Sequence, residues 1–319
     1  MKIGIDIMGG DFAPKEAVLG AIEAQKNLPA DCTIVMIGDE SQALELLHSN
    51  QVSPSLFEFV HTTEVIGMSE HPTKAIAAKK DSSINVGFAL LAQKKIDVFM
   101  SAGNTGAVMV GAVFSVKLIE GVSRPTVISV LPKLKGGFGL LVDAGTNADC
   151  KPEMLNQFGL LGSIFCESIY NIENPKVALM SVGEEKEKGN ALTLASYPLL
   201  EQNPHINFVG NVEGYNLFDE KADVIVCDGF TGNIILKVAQ SIYKIMRKMG
   251  NSNDYFERFN YEIYGGSPIL GVNAPVILGH GISNIEAFKN MILLGQRMVE
   301  KKVTEKIKEE LLTINSIQG

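Results

Sequence analysis

Short runs of β-branched and other apolar residues, bounded by turn residues, recur along the chain. Nine of these runs predict strands that are mostly buried on both faces. They cover residues 2–7, 33–37, 57–60, 97–101, 126–130, 139–142, 177–181, 207–209 and 223–227. Residues 132–137 (PKLKGG) interrupt the pattern, and they predict a hairpin with antiparallel strands.

Stretches with helical periodicity lie between many of these strands. Apolar residues spaced by three and four predict helices over residues 155–169 and 234–249, and a last helix from 284 to about 312. Residues 249–266 are polar and poorly periodic, which predicts a surface excursion. The alternation of strands and helices predicts one α/β domain over residues 1–319, a three-layer α/β/α sandwich with a mainly parallel sheet.

Charge and composition narrow the class of protein. Lys and Arg number 28 against 36 Asp and Glu, a net charge of −8 without a long basic block, so a dedicated nucleic-acid binder is not expected. No apolar run reaches the ~18 residues of a membrane-spanning helix, and the first residues do not resemble a signal peptide, so we expect a cytoplasmic protein. The four cysteines lie far apart and the histidines lack ligand spacing, so no metal is expected.

Four small, polar turns follow predicted strands, where α/β proteins bind their ligands. They are residues 6–11 (DIMGGD), 101–106 (SAGNTG), 143–147 (DAGTN) and 228–233 (DGFTGN). Glycine lets backbone amides approach an anion, and a helix N-terminus adds N–H donors, so these turns indicate a phosphate site. The candidate binding residues are Gly103, Asn104, Thr105, Gly106, Asp228, Thr231, Gly232 and Asn233. Ordinary helix capping is the alternative, and neither a P-loop nor a dinucleotide-binding pattern is present.

Two further segments carry candidate chemistry. In residues 182–190 (VGEEKEKGN), Lys188 lies at a predicted helix start, where a lysine can hold a phosphate or a developing oxyanion. Asn190, beside it, is a further candidate phosphate-binding residue. A solvated loop of mixed charge is the alternative. His280 lies between two glycines and is a candidate general acid or base, although a lone histidine is a weak signal. No serine or cysteine nucleophile motif is present, which favours a bound anion as the attacking group.

Several of these segments together resemble the bacterial phosphate acyltransferases of the PlsX type. The resemblance is carried by residues 5–14, 101–107, 142–155, 182–190, 208–214, 222–237 and 264–271, in order along nearly the whole chain. It implies a fold like that of phosphate acetyltransferases and isocitrate or isopropylmalate dehydrogenases, and a homodimer. It also implies a role in phospholipid synthesis, in which phosphate attacks the thioester of acyl-acyl carrier protein and the acyl phosphate passes to a membrane glycerol phosphate acyltransferase.

The resemblance also implies roles for individual residues. Lys188 and Asn233 would hold phosphate and stabilise the oxyanion, Asn104 and Thr105 would line the anion socket, and His280 would lie at its rim. No cofactor is expected. Relatives are thought to touch the membrane through an apolar excursion, but residues 249–266 are polar here, so peripheral membrane contact stays open.

Two alternative functions remain. A phosphotransacetylase would catalyse the same attack of phosphate on a thioester, with acyl coenzyme A as the acyl donor. A non-catalytic scaffold would recruit enzymes of lipid synthesis and only bind an anion, and the presence of Lys188, Asn190 and Asn233 argues against it.

Overall fold

A computed structural model describes residues 1–318, with side chains through residue 314. Contacts within the chain group it into two compact units. Unit 1 consists of residues 1–119 and 261–300, and unit 2 consists of residues 120–260 and the chain from residue 301 onward. The single domain expected over residues 1–319 stays a prediction.

Unit 1 contains a six-stranded sheet in the order β3-β2-β1-β4-β11-β10. All neighbouring strands in it are parallel except β10 and β11, which form an antiparallel pair. Its elements are β1 (Lys2–Asp6), α1 (Lys15–Gln25), β2 (Thr33–Gly38), α2 (Glu40–Ser49), β3 (Phe57–His61), α3 (Pro72–Ala78), α4 (Ser83–Ala92), β4 (Val98–Ser101), α5 (Thr105–Gly111), β10 (Ser267–Leu270), β11 (Val276–Leu278) and α10 (Ile285–Glu300).

Helices cover both faces of this sheet. On α4, Gly87 lies directly against the ring of Phe99, whereas Gly295 of α10 faces Val98 and Met100. Successive residues of a strand point to opposite faces, so α4 and α10 pack on opposite sides of β4. The absence of a Cβ at both glycines brings each helix close to the strand. Unit 1 is therefore a three-layer α/β/α arrangement.

Unit 2 contains a five-stranded sheet in the order β5-β6-β9-β7-β8. The hairpin predicted at residues 132–137 is confirmed, because β5 and β6 pair antiparallel, and the remaining pairs are parallel. The elements are β5 (Thr126–Pro132), β6 (Phe138–Val142), α6 (Pro152–Tyr170), β7 (Lys176–Met180), α7 (Ala191–Glu201), β8 (Asn207–Val212), β9 (Val224–Val226), α8 (Gly229–Lys248), α9 (Asp254–Glu257) and α11 (Val303–Gln318).

The same alternation places helices on both faces of the second sheet. Gly162 of α6 lies against Val142 and Val224. Leu141 and Ile225, the neighbours of those valines, belong to a core cluster against which the first half of α8 packs. The predicted α/β class with a mainly parallel sheet covered on both faces is thus confirmed in each unit.

All nine predicted strands are present. Two further strands were not predicted, and one predicted helix is in fact two helices. The missed strands, β10 and β11, are only four and three residues long and adjoin turn glycines. The single last helix expected from residue 284 to about 312 is wrong. The chain forms α10 and α11 instead, separated at Lys301 and Lys302, and Lys302 adopts a left-handed φ of 53° that ends the helical path.

The segment 249–266 contains the short helix α9 and an aromatic cluster. Phe259 is buried, and its ring packs edge-on against Tyr255 and Phe218. Tyr255 and Phe256 pack against the same cluster beside α8. Tyr255, Phe256 and Phe259 are therefore engaged in packing within unit 2. Within residues 1–318, no helix combines the length and the hydropathy needed to cross a membrane.

Candidate functional site

The predicted site residues of unit 2 lie on loops that follow three neighbouring strands. Strands β6, β9 and β7 are adjacent and parallel, so their carboxyl ends meet at one edge of the sheet. Residues 143–147 follow β6, residues 227–233 follow β9, and residues 181–190 follow β7. This edge is where open α/β sheets bind ligands.

Asp143 organises the first of these loops. Its carboxylate is fully buried and accepts hydrogen bonds from the backbone N–H groups of Val127, Thr146 and Asn147. It also accepts one from the side-chain amide of Asn147 at 2.8 Å. Four donors on one buried carboxylate fix the loop rigidly, because any one of them would be costly to leave unpaired.

The N-terminus of α8 is built on this loop. Asp228 caps the helix, since its carboxylate accepts hydrogen bonds from the backbone N–H and the hydroxyl of Thr231. A Cβ on Gly232 would overlap the carbonyl oxygen of Asp143, so only glycine allows this approach. The side chains of Asp228 and Thr231 are thus hydrogen-bonded to each other, and Gly232 allows the backbone of α8 to pack closely against the backbone at Asp143.

Asn233 is the member of this turn with a free polar group. It is exposed in the first turn of α8, and its amide makes no hydrogen bond within the part of the chain that the structure describes. Gly145, with a left-handed φ of 125°, lies beside it, and a Cβ there would be 3.4 Å from the Asn233 amide oxygen. The open backbone at Gly145 leaves room for a ligand next to the amide.

Lys188 stands out in the charged loop after β7 because the other lysine of the loop, Lys186, already has an ion-pair partner. Lys186 forms an ion pair with Glu201 at 2.5 Å, and Glu184 forms one with Lys221 at 2.6 Å. The Nζ of Lys188 is exposed and makes no ion pair or hydrogen bond with any described residue. The loop therefore presents one ammonium group without a hydrogen-bonded partner among the described residues, which favours anion binding over the alternative of a merely solvated loop.

Asn190 has a capping role. It is the N-cap of α7, and its side-chain oxygen accepts a hydrogen bond from the backbone N–H of Thr193 at 2.9 Å. The Thr193 hydroxyl in turn donates to the Asn190 carbonyl. The amide nitrogen of Asn190 remains exposed and available as a donor.

The predicted residues of unit 1 lie at the carboxyl ends of β1, β4 and β11, which are also adjacent and parallel. The side chain of Asp6 connects the loops after β1 and β4 by hydrogen bonds. It is buried, and its carboxylate accepts hydrogen bonds from the Ser101 hydroxyl at 2.6 Å and from the Met8 backbone N–H. The Ser101 hydroxyl also accepts one from the backbone N–H of Gly103 at 3.0 Å. Burial raises the pKa of Asp6 above its ordinary value of 3.8, and these hydrogen bonds oppose the shift.

The raised pKa of Asp6 predicts a pH-dependent stability. A carboxyl whose pKa is higher in the folded than in the unfolded state stabilises the fold at acid pH, and this contribution is lost as the pH rises through the folded pKa. We expect the free energy of unfolding of wild type, relative to Asp6→Asn, to fall as the pH is raised from the ordinary pKa of 3.8 toward neutrality. Urea denaturation of both proteins across this range measures the difference. A difference that does not change with pH contradicts the prediction.

Asn104 acts as a clamp for a neighbouring loop. Its amide nitrogen lies 2.9 to 3.2 Å from the carbonyl oxygens of Gly67, Met68 and Glu70. Its side-chain oxygen accepts from the backbone N–H of Ala107 and caps α5. Both the amide nitrogen and the side-chain oxygen of Asn104 are thus hydrogen-bonded to backbone groups, so Asn104 shapes the predicted anion socket by holding its loops in place.

The residues beside Asn104 differ in exposure. Thr105 is exposed, and its hydroxyl makes no hydrogen bond with the described residues. Gly103 is buried, and a Cβ on Gly106 would strike Pro72 of α3. Of the four residues predicted here, Thr105 is the one with a polar side chain open to a ligand.

His280 lies in the loop after β11 and packs on a half-buried tyrosine, Tyr261. The rings of His280 and Tyr261 meet edge-on with centroids 4.6 Å apart. The Tyr261 hydroxyl donates to the carbonyl of Ile282, and burial raises the pKa of this tyrosine to about 12. The carbonyl of Gly281 accepts from the backbone N–H of Asp11, which ties the loop to the end of β1. His280 is thus held beside the β1 loop and half-exposed.

Sequence reasoning missed the two buried aspartates and Ser101 as site residues. Asp6 lies near the end of the predicted strand 2–7 and Asp143 directly follows the predicted strand 139–142, each beside a glycine-containing turn, and this position was the available signal. No group of three or more His, Cys, Asp and Glu side chains within residues 1–318 is arranged to hold a metal ion.

Known proteins resemble this chain along its whole length. The family model described as fatty acid synthesis protein matches residues 1–306. A phosphate acyltransferase of Dictyoglomus turgidum is 41% identical over 98% of both chains, and one of Syntrophomonas wolfei is 41% identical over 99% of this chain and all of its own. A phosphotransacetylase structure from Streptococcus pyogenes has the same fold, with a TM-score of 0.68, 17% identity and 94% of each chain covered. The chain therefore belongs to the phosphate acyltransferase family, which the matching model describes as a fatty acid synthesis protein.

Proposed function

We propose that this acyltransferase converts acyl-acyl carrier protein and inorganic phosphate to acyl phosphate and free carrier protein. One observation carries the proposal. Lys188 and Asn233 are exposed and have no partner among the described residues, and they follow the adjacent parallel strands β7 and β9. An ammonium group and an amide at one sheet edge suit a phosphate dianion and the oxyanion that forms during acyl transfer.

The reaction is a direct displacement. A phosphate oxygen attacks the thioester carbon, the new C–O bond forms, the C–S bond breaks, and the leaving thiolate takes up a proton. Phosphate is already anionic at neutral pH, so positioning and charge stabilisation supply most of the rate enhancement. Lys188 binds the phosphate and Asn233 donates its amide N–H to the oxyanion. Two further roles remain predictions. Thr105 is predicted to contact the phosphate, and His280 is predicted to act as a general acid or base.

The acyl donor separates this proposal from its closest alternative. Purified enzyme is given palmitoyl-acyl carrier protein or acetyl coenzyme A, with and without phosphate, while released thiol is measured and acyl phosphate is trapped with hydroxylamine. We expect phosphate-dependent release and a hydroxamate with the carrier protein. Release from acetyl coenzyme A alone would identify a phosphotransacetylase, and no release from either donor would favour the scaffold.

A homodimer is the proposed assembly, and α8 supports it. Five apolar side chains of α8 and that of Met249, which directly follows the helix, are exposed along one stripe, between 38% and 65% of their surface; the five are Phe230, Ile234, Val238, Ile242 and Ile245. A continuous apolar stripe on a twenty-residue helix is typical of a surface that another chain covers. The stripe begins beside Asn233, so a second copy of the chain would lie close to the proposed phosphate site.

The double substitution Ile242→Asp and Ile245→Asp is expected to give a monomer. Two charges in the middle of the stripe would have to be buried unpaired, which weakens association by about 100-fold or more. Light scattering after size exclusion measures the mass. The matched control is Leu312→Asp, which places a charge at another exposed apolar position, on α11. A dimer that survives the double substitution contradicts the assignment of this stripe.

We further propose that the acyl phosphate is consumed by a membrane glycerol phosphate acyltransferase, for phospholipid synthesis, and that the enzyme works in the cytoplasm. Peripheral membrane contact through residues 249–266 stays a prediction. Because Phe259 is buried and Phe256 packs beside it, membrane insertion of either ring would first require the cluster to open.

A further inference from the structure

The backbone around Lys188 is held by hydrogen bonds from two other strand ends. Its own N–H donates to the carbonyl of Glu185 at 3.0 Å. The same carbonyl accepts a hydrogen bond from the side-chain amide of Asn211, at the end of β8, at 2.9 Å. The hydroxyl of Ser181 donates to the carbonyl of Lys188 at 2.9 Å. Both peptide groups of Lys188 are thus fixed, while its ammonium group stays unpaired.

The buried amide of Asn211 is energetically unfavourable if its role is purely structural. Its side chain is 3% exposed, and its amide oxygen is buried without a hydrogen-bond partner in the described chain. An unpaired buried acceptor is unfavourable, so packing alone would favour an apolar side chain here. What the amide contributes is the one hydrogen bond to the loop that carries Lys188.

The other attachments of the loop are weaker. The ion pairs of Lys186 with Glu201 and of Glu184 with Lys221 join half-exposed or exposed side chains, and such pairs stabilise little. Gly189 has a left-handed φ of 144°, where the chain turns into α7. Of the attachments of the segment 183–188, the hydrogen bond from Asn211 to Glu185 is therefore the one whose donor side chain is buried, whereas the hydrogen bond from Ser181 to Lys188 is exposed.

We propose that Asn211, assisted by Ser181, is a positioning residue that holds the backbone of Lys188 so that its ammonium group meets the attacking phosphate. The proposal rests on the proposed function, because it assigns Asn211 to the phosphate half of that reaction. Asn211 acts through Lys188 and does not touch the substrate. Pre-organising a charged group in this way lowers the cost of ordering it when phosphate binds.

Hydrogen exchange tests the structural half without relying on activity. In Asn211→Ala, we expect amides 183–190 to exchange about tenfold faster than in wild type, because the loop loses its buried attachment. Asn207→Ala is the matched control, since Asn207 lies on the same strand and donates its amide to the carbonyl of Asn174. Ser181→Ala is the second variant, should Asn211→Ala fail to fold. Unchanged exchange in the loop overturns the proposal.

A double-mutant cycle with Lys188→Ala tests the functional half. Asn211→Ala alone should lower kcat/KM for phosphate about tenfold and leave the KM for the acyl donor unchanged. In the background of Lys188→Ala, it should change kcat/KM by less than about twofold, because the group it positions is gone. Losses that multiply independently would indicate a merely structural role and overturn the proposal. A wild-type enzyme without phosphate-dependent thiol release would instead overturn the proposed function, and the positioning role with it.

Discussion

Lys188→Ala is expected to lower kcat/KM for phosphate by about 10²- to 10³-fold, which is the usual effect of removing one group that stabilises charge in a transition state. The ammonium group of Lys188 is the cation of its loop without a partner among the described residues, so it is available to bind phosphate. Initial rates at varied phosphate concentration measure the effect. Because the charge serves both binding and the transition state, KM should rise and kcat should fall.

Lys186→Ala is the matched control. It removes the same charge from the same loop, but Lys186 is paired with Glu201 and lies over the ring of Tyr197. We expect its kcat/KM to stay within about threefold of wild type, because an exposed ion pair stabilises little. Equal losses in the two variants would mean that only the overall charge of the loop matters, and would contradict the role assigned to Lys188.

Gly232→Ala is expected to lower the free energy of unfolding by about 3 kcal/mol, at the upper end of the cost of overpacking. The new methyl group would overlap the carbonyl oxygen of Asp143, and that backbone is held by four hydrogen bonds to the Asp143 carboxylate. Helix α8 must then move away from the loop, and activity should fall because Asn233 moves with it. Urea denaturation and steady-state kinetics measure the two effects.

Gly214→Ala is the control for this substitution. Nothing lies within 4 Å of a Cβ at position 214, and its backbone φ is not left-handed, so its stability should stay within about 0.5 kcal/mol of wild type. Unchanged stability in Gly232→Ala would show that the helix tolerates a side chain there. The glycine would then serve the ligand, as the sequence pattern suggested.

The strands were predictable because their signal is local. A run such as residues 223–227 is apolar throughout and bounded by polar residues, which is typical of a strand covered on both faces. The break between α10 and α11 has no such signal. Apolar residues continue at helical spacing through Lys301 and Lys302, and the left-handed φ of Lys302 is invisible in the pattern.

The candidate site was predictable as a set of turns but not in the roles of single residues. Asn104, Asn190 and Asn233 are alike in the sequence, since each lies in a small polar turn before a helix. In the structure, Asn104 is fully engaged with backbone groups, Asn190 caps α7, and Asn233 is open. The partners that decide these roles come from elsewhere in the fold, such as the carbonyl of Gly67 for Asn104.

The same applies to the charged loop after β7. Its sequence offers three acids and two lysines in a row, and composition alone cannot say which charge is uncompensated. In the structure, Lys186 pairs with Glu201, and Glu184 pairs with Lys221. Among the described residues, Lys188 is therefore the cation of the loop that has no ion-pair partner. The hydrogen bond from Asn211 is equally hidden, because it joins β8 to a carbonyl of the loop after β7, 26 residues earlier in the chain.

The central claim is that phosphate, and not water, accepts the acyl group of the thioester. Its most direct test uses phosphate labelled with ¹⁸O at all four oxygens, together with palmitoyl-acyl carrier protein, and mass analysis of the acyl phosphate formed. Direct attack predicts an acyl phosphate that keeps all four labelled oxygens, formed in step with free thiol. Thiol release without phosphate, with palmitate as the product, would show that water attacks instead and would contradict the account.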